Sequence, residues 1–355
     1  MSQPLAIVDE LPCAQLQVRE LSAPDFARWD TFVRDCPDAS FFHLSGWKTV
    51  IERAFGHRTY FLYAESEGKI AAVLSLAEIR SRLFGHSLSS LPFCVYGGVA
   101  GGSEEAKTAL DSAAEQLALA FKVDYLEYRN RSPRRADWQK KDLYVTFRKE
   151  IDRDPDKNLA RIPRKQRAMV RKGIAAGLRS ELDDDVTRFF AAYSESVHRL
   201  GTPVFAKRYF ATLREVFGQA CEVLTVTQQG KLVASVLSFY FRDEVLPYYA
   251  GGVERARGVA GNDFMYWELM RRASERGVRV FDYGRSKLGT GSFDFKKNWG
   301  FTPEPLFYEY RLYKGKSVPE VNPLNPRYRM LSRLWRKLPL QLANCIGPHI
   351  VKDLG

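Results

Sequence analysis

The sequence is short of the residues from which metal centres and disulfide frameworks are built. Its five cysteines, Cys13, Cys36, Cys94, Cys221 and Cys345, are odd in number, widely spaced and include no C-x-x-C pair. That argues against a cystine scaffold or a zinc site and for a reducing compartment. The five histidines, His43, His57, His86, His198 and His349, show no H-x-x-x-H spacing, and no G-x-S-x-G elbow occurs. Zinc-enzyme and serine-hydrolase readings lose their support, and no metal is expected. Long apolar runs are missing too, since none reaches the roughly 18 residues needed to cross a bilayer. The opening "MSQPLAIVDELPCA" has neither the basic start nor the apolar core of a secretion signal. A cytoplasmic protein is expected, resting at most on the inner face of a membrane.

What is present fits a globular, basic protein. At 355 residues the chain is long for one domain and comfortable for two. Hydrophobic residues at 45% and aromatics at 13% are ample for packed cores and too many for disorder. A formal charge of +12 predicts anionic partners such as nucleotides, phosphates, RNA or a lipid surface.

Three segments recur in the same order, about 155 residues apart, as a duplicated unit would place them. "GKIAAVLS" at Gly68 returns as "GKLVASVLS" at Gly230, "YGGV" at Tyr96 as "YAGGV" at Tyr249, and "DYLEYRNR" at Asp124 as "RVFDYGRS" at Arg279. The second "GK" segment is one residue longer, which a β-bulge would absorb. In each unit apolar, β-rich runs precede a Gly-Gly turn, a helix and a further strand. The first helix is predicted over about 103–121. The second is predicted to start with Asn262 as N-cap, to carry Met265, Tyr266, Leu269 and Ala273 on one face, and to stop at Gly277. The expected class is α/β in the broad sense (α+β), with two modules of helices and mostly antiparallel sheet. Expected bounds are 15–150 and 155–312, parted by the polar "EIDRDPDKNLARIPRK", with an extension at 1–14 and a tail at 313–355.

Chemistry is concentrated in the second unit. "RARGVAGN" fits R-x-x-G-x-A through Arg255, Gly258 and Ala260, with Asn262 next to the helix start. Small residues before a helix let backbone N–H groups approach a pyrophosphate; the alternative is a basic glycine turn. "FDYGRSKLGTGSFDFKKNWGF" brings Asp282 and Tyr283 to a strand end, follows with Arg285 and Lys287, and places Lys296 on a short helix. In an acyl transfer an amine attacks a carbonyl, so a fixed cation such as Lys296 would stabilise the oxyanion and Asp282 could take the amine's proton. The alternative is a salt-bridged turn, with Phe293, Phe295 and Trp299 in the core. "RIPRKQRAMVRKGIAAGLRSEL" sets Arg161, Arg164, Lys165, Arg167, Arg171 and Lys172 at near-helical spacing over a stripe of Ile162, Met169, Val170 and Ile174. Such a face binds phosphates or RNA, or is simply solvated. Tyr96, Tyr249, Tyr283, Arg164 and Arg167 are the candidate substrate contacts. From Asn325 the tail repeats Tyr328, Leu331, Leu334, Trp335 and Leu338 at helical spacing, among Arg327, Arg329, Arg333, Arg336 and Lys337, before Pro339. It is either an interfacial amphipathic helix or a helix packed on the second module.

With these residues in view, the second half resembles the FemAB-like branch of the GNAT superfamily, which includes the aminoacyltransferases that build peptidoglycan interpeptide bridges. "RKQRAMVRKGIAAGL", "GTPVFAKRYFATLREVFG", "GKLVASVLSFYF", "PYYAGG" and "FDYGRS" before "FDFKKNWGF" carry the likeness over most of 155–312. "HLSGWKTVIERAFGH" and "SLPFCVYGG" resemble the N-terminal copy of that family. The resemblance implies tandem GNAT-like modules and is strongest to the FemAB-related proteins of exosortase (PEP-CTERM) systems, a setting of exopolysaccharide and envelope work. It puts Lys296 at the reaction centre, with Arg285 and Lys287 along the same cleft. The long coiled-coil arm of some bridge-forming members is absent, since "GLRSEL" leads almost directly into "DDDVTRFFAAY".

The expected activity is transfer of an acyl or aminoacyl group to an amine, making an amide on an envelope glycan or amine precursor. The donor would be an anionic carrier, acyl-CoA or aminoacyl-tRNA, used as co-substrate, with no cofactor tightly bound. The alternative is a non-catalytic, basic GNAT-like module that binds RNA or serves as a scaffold in a polysaccharide assembly.

Overall fold

The computed structural model describes residues 16–354 apart from 82–84, 316 and 319–325, so the expected extension at 1–14 lies outside the described residues. Both modules are built on a two-residue hairpin. Strands Arg58–Ser66 and Lys69–Ser81 join through Glu67 (φ 51°) and Gly68 (φ 73°). Strands Cys221–Gln228 and Lys231–Phe241 join through Gln229 (φ 50°) and Gly230 (φ 74°). Two positive φ values in succession twist the chain as the paired strands require, and glycine takes the second without a Cβ clash. Shortly past each glycine the register slips by one residue, at Ala71 and at Val233. The bulge is common to both copies, so it does not account for the extra residue of the second, as the sequence had led us to expect.

The copies diverge on the return strand. In the second module Glu244–Gly252 runs back along Lys231–Phe241 and ends with Gly252 opposite Ala234, slipping once at Tyr248. In the first, the return is split into Gly85–Ser89 and Ala100–Gly101, with Gly101 opposite Ala72. Gly101 therefore corresponds to Gly252, and the excursion over 90–99 has no counterpart. The expected match of Tyr96 with Tyr249 fails for that reason: "YGGV" lies in the excursion and "YAGGV" in the strand. Helices Glu104–Phe121 and Gly261–Glu275 follow. Ser103 caps the first by accepting from the Ala106 N–H at 3.2 Å. The N-cap of the second is Ala260 in a left-handed conformation (φ 55°), not Asn262, which lies within the first turn with its side chain against Gly252.

After each helix comes a parallel strand, Tyr125–Asn130 or Val280–Asp282, that pairs only briefly with the return strand before the two splay apart. The chain then crosses over. Tyr144–Glu150 enters the second sheet, between Val280–Asp282 with Ser286–Lys287 on one edge and Pro303–Pro305 on the other. Phe307–Leu312 makes the reverse crossing, between Tyr125–Asn130 and Gln139–Lys141. Each eight-stranded sheet is completed by a strand from the other half of the chain. The polar segment near 150–155 thus divides the sequence but not the sheets, because strand pairing is satisfied across it.

Apolar side chains seal the join. Phe41 stacks on Phe239 with ring centres 4.4 Å apart, and Trp47 lies 5.3 Å from Phe217. Burying each such side chain contributes about 1.5–3 kcal/mol. In the second module the helix Arg164–Ala175 packs against Gly261–Glu275, and a Cβ on Gly173 would come within 2.7 Å of Phe264 Cβ. The tail forms two helices, Pro326–Trp335 and Leu340–Val351. No described helix is long and apolar enough to cross a membrane.

Candidate active site at the join of the modules

The excursion of the first module reaches the splayed strands of the second. Leu91 (φ 57°) and Phe93 (φ 68°) both adopt left-handed backbone, a strain of about 1–3 kcal/mol each that persists only where neighbours fix it. Arg129 is one such neighbour, its Nη1 donating to the carbonyls of Leu91 at 3.1 Å and Cys94 at 2.9 Å. Across the join, the Tyr248 and Tyr308 hydroxyls donate to the carbonyls of Phe93 and Val95, both at 2.7 Å. Tyr96 is thereby aimed at the second module.

There it meets Asp282, which is fully buried. The Tyr96 hydroxyl donates to Asp282 Oδ2 at 2.9 Å and lies 2.6 Å from Thr146 Oγ1, which is itself 3.3 Å from Asp282 Oδ1. Arg148 Nη1 donates to Asp282 at 2.8 Å and to Glu244 at 3.0 Å, and the Gly284 N–H donates to Asp282 at 2.7 Å. Thr146 and Arg148 sit on the crossed strand Tyr144–Glu150, so the exchange itself assembles this cluster. Burial, and the negative Asp282 beside it, push the Tyr96 phenol well above its usual value, so it stays protonated.

Tyr96 and Thr146, but not Asp282, line an open cavity of about 640 Å³. His43, Gly98, Asn130, Arg131 and Arg134 form much of the remaining wall. His43 accepts from the Ser40 N–H through Nδ1 at 3.0 Å, and its Nε2–H donates to the Gly98 carbonyl at 2.8 Å. Burial holds the imidazole below its usual pKa, and with both ring nitrogens bonded to the backbone the neutral ring serves as a post between Ser40 and Gly98. Lys107 and Arg134 are tied to carboxylates. The Arg131 guanidinium instead lies 5.3 Å from the centre of the Tyr96 ring, and none of the carboxylates among the described residues pairs with it. It is an exposed cation on a wall that also carries Asp38, Glu104 and Glu304.

Lys296, on the helix Gly291–Asn298, is near this cluster but faces another way. Its ammonium donates to the carbonyls of Tyr283 at 2.7 Å, Gly284 at 3.0 Å and Arg285 at 3.0 Å. These are the residues where the edge strand breaks between Val280–Asp282 and Ser286–Lys287. An ammonium has three N–H groups, and all three are used. The direct oxyanion role expected for Lys296 therefore meets a geometric obstacle; as placed, it clamps the strand break beside Asp282. Burial lowers its pKa to about 7, with Asp282 pulling upward and Arg285 downward. Arg285 lies between the rings of Tyr144 and Tyr308, 4.7 and 5.5 Å from their centres, and Lys287 lies 5.8 Å from Tyr144. Burial, then Arg285 and Lys141, bring Lys287 down to about 8. Neither cation lines the cavity.

The other expected contacts are dispersed. Arg255 donates through Nε to the Leu232 carbonyl at 2.8 Å, holding the hairpin rather than presenting to an anion. Gly258 has ordinary right-handed backbone, so nothing in its conformation requires glycine. Tyr249 is packed against Phe205 and Phe210, its hydroxyl 3.1 Å from that of Tyr209. Tyr283 is buried against Phe281 and Phe301. Tyr283 is a core residue and Tyr249 is half-buried against the core, so both are engaged in packing. Arg164 is exposed on its helix and Arg167 donates to the Ala160 carbonyl at 2.9 Å. Ile174, expected in the apolar stripe, is 50% exposed. Sequence reasoning missed Thr146, Arg148, Arg131 and His43; the one signal nearby was "YGGV", whose pairing with "YAGGV" pointed to the return strand and not to the excursion.

Comparison with known proteins agrees with the architecture. Residues 157–297 match the family model described as an acetyltransferase (GNAT) domain. The crystal structure of FemX superposes with a TM-score of 0.65 at 15% identity, over 82% of this chain and 96% of that one. The C-terminal (DUF2156) domain of a protein from Agrobacterium fabrum described as a lysylphosphatidylglycerol synthetase gives 0.55 at 15% identity, over 81% and 92%. A tandem GNAT protein from the clavulanic acid biosynthesis pathway gives 0.54 at 12% identity, over 85% and 100%. A search of curated proteins returned no match. The fold is a tandem pair of GNAT-like modules. Within it, residues 157–297 match the acetyltransferase (GNAT) domain model, and the whole is similar in fold to FemX.

Proposed function

We propose that the protein is an N-acyl- or aminoacyltransferase that forms an amide on a cell-envelope or exopolysaccharide-related acceptor. The observation that carries this reading is the cavity floored by Tyr96 and Thr146, whose hydroxyls connect it to the buried Asp282. When an amine attacks a carbonyl carbon, the new C–N bond leaves a proton on nitrogen and negative charge on oxygen. Two hydroxyl protons serve three contacts among Tyr96, Thr146 and Asp282, so a proton taken up on the cavity side can be passed inward while another is delivered to the carboxylate. Arg148 keeps that carboxylate oriented for the proton it receives. Collapse of the intermediate breaks the carbonyl carbon's bond to the carrier's sulfur or oxygen, and the proton taken from the amine returns from Asp282 through the same hydroxyls to the leaving thiolate or alkoxide. The donor is acyl-CoA or aminoacyl-tRNA, and Arg131 is placed to meet a phosphate of donor or acceptor. The likeness to FemX and to a lysylphosphatidylglycerol synthetase domain supports aminoacyl transfer, and an exosortase-linked acceptor remains part of the proposal. Acceptors of such pathways are carried on lipid at the inner membrane face.

A second reading, a non-catalytic RNA-binding module, is favoured by one feature. The helix Arg164–Ala175 exposes Arg164, Lys165, Arg171 and Lys172 with no acidic residue among them. Native mass spectrometry of protein from its own host separates the two. A co-purified coenzyme A thioester or charged tRNA whose acyl group is lost on adding an amine acceptor supports the transferase. Uncharged RNA bound in a strongly salt-dependent way, with no acyl transfer, supports the module.

A further inference from the structure

The two tail helices dock with part of their surface and turn apolar side chains outward. On Leu340–Val351 the residues Ala343, Gly347 and Val351 are buried, and a Cβ on Gly347 would lie 2.8 Å from Val204 N. On Pro326–Trp335 the half-buried residues are Ser332 and Trp335, with Ser332 Cβ only 2.9 Å from a Cβ placed on Gly201. The opposite side carries Met330, Leu331 and Leu334, which are 62%, 57% and 56% exposed. Leu342 and Ile346 of the second helix and Leu200, beside Gly201, are also exposed. Six of the eleven exposed large apolar side chains among the described residues thus come from this corner. The side chains of Arg327, Tyr328 and Arg329 lie outside the described residues. Packing of Leu331 and Leu334 on the second module, one of the two readings of the tail sequence, is not what the structure has.

We propose that this corner is a docking surface for an anionic lipid bilayer, a conclusion independent of the acyl chemistry. Charge argues for lipid. No aspartate or glutamate occurs over residues 321–352, while Arg333, Arg336 and Lys337 stand exposed beside the apolar side chains. None of those three pairs with a carboxylate among the described residues; Arg336 Nε donates to the Ser332 carbonyl at 3.2 Å. A twofold contact with a second copy would set these cations against their own images. Nucleic acid would use the cations and leave the leucines wet. An anionic bilayer interface takes both, apolar side chains at the acyl boundary and cations among the headgroups. The helices have 10 and 12 residues, too short to span the roughly 20-residue thickness of a membrane, so they lie in its plane.

The test is sedimentation of the full chain with vesicles of phosphatidylcholine, alone or mixed with phosphatidylglycerol. We expect binding to the mixed vesicles only, weakening with salt. Met330→Ser/Leu331→Ser/Leu334→Ser and, separately, Arg333→Glu/Arg336→Glu/Lys337→Glu should each lower that binding by at least tenfold with an unchanged melting temperature. A full chain that stays in the supernatant with mixed vesicles overturns the proposal. So does a serine variant that melts lower, which would place those side chains in the core, or one that turns a dimer into a monomer while vesicle binding persists.

Discussion

The first and second modules follow one plan as far as the hairpin and differ where each sheet opens. At the Gly252 end the second module has the loop 253–260, which folds back on its own hairpin through Arg255. Ahead of Gly101 the first module has the excursion 90–99, which crosses to its neighbour and delivers Tyr96 to Asp282. The buried carboxylates make the same point. Glu127 precedes Tyr128 as Asp282 precedes Tyr283, and each is met by a group on an exchanged strand, Tyr310 at 3.0 Å or Arg148 at 2.8 Å. Glu127 takes its guanidinium, Arg129, from its own strand, whereas Asp282 is bonded by a hydroxyl from the other module. Duplication gave two similar frameworks, and the candidate site lies where their symmetry is broken.

The largest effect should come from cutting the chain at the boundary the sequence suggests. A fragment of 155–312 lacks the strand Tyr144–Glu150, and 15–150 lacks Phe307–Leu312. Neither should unfold cooperatively on its own, as followed by circular dichroism. An independently folded half would mean that the exchanged strands are dispensable.

Next in size is the loss of the carboxylate at the join. Asp282→Ala leaves the Arg148 charge half-buried with one partner fewer, which should cost about 3–5 kcal/mol in urea unfolding. Tyr96→Phe removes the hydroxyl that donates to the Asp282 carboxylate and touches Thr146, and should cost about 1.5–3 kcal/mol, the range for a hydrogen bond to a charged group. If both cost the same, Asp282 is not the centre of the cluster.

The β-rich runs beside Gly68 and Gly230 were legible in the sequence because continuous apolar stretches recur beside the same "GK" pair, although the two-residue hairpin that joins each pair of strands was not read from them. Lys296 was legible as a neighbour of residues 282–285, but which of its possible acceptors it serves depends on a strand break that no local pattern marks. The exchange was hidden for a different reason: Tyr144–Glu150 has the same alternation whichever sheet receives it. Leu331 and Leu334 had the right spacing for a helix face, yet spacing does not say which face docks.

Lys296→Met tests whether that lysine supports the site or acts in it. Three carbonyls would lose their donor, and leaving a buried acceptor unpaired costs about 1–3 kcal/mol. We expect a stability loss of that order in calorimetry, along with weaker acyl transfer. Full stability with abolished transfer would return Lys296 to a direct chemical role.

The smallest effect, and the one that sharpens the comparison of the two carboxylates, is acid sensitivity. Burial raises the Glu127 carboxyl, but Arg129, Ser89 and Tyr310 outweigh it and hold the pKa below 4.5. A depressed folded-state pKa stabilises fully above the unfolded value and loses that stabilisation as pH falls through the folded value. Glu127→Gln removes the charge at almost constant volume, so its stability should not show this component. In urea titrations the gap between the native chain and Glu127→Gln should be constant at neutral pH and close once the pH is taken below 4.5. A gap that stays open in acid would show that Glu127 stabilises the first module through shape and hydrogen bonding alone. Running Asp282→Asn through the same titrations then asks whether the carboxylate reached by the other module's tyrosine follows the same course as the one paired within its own strand.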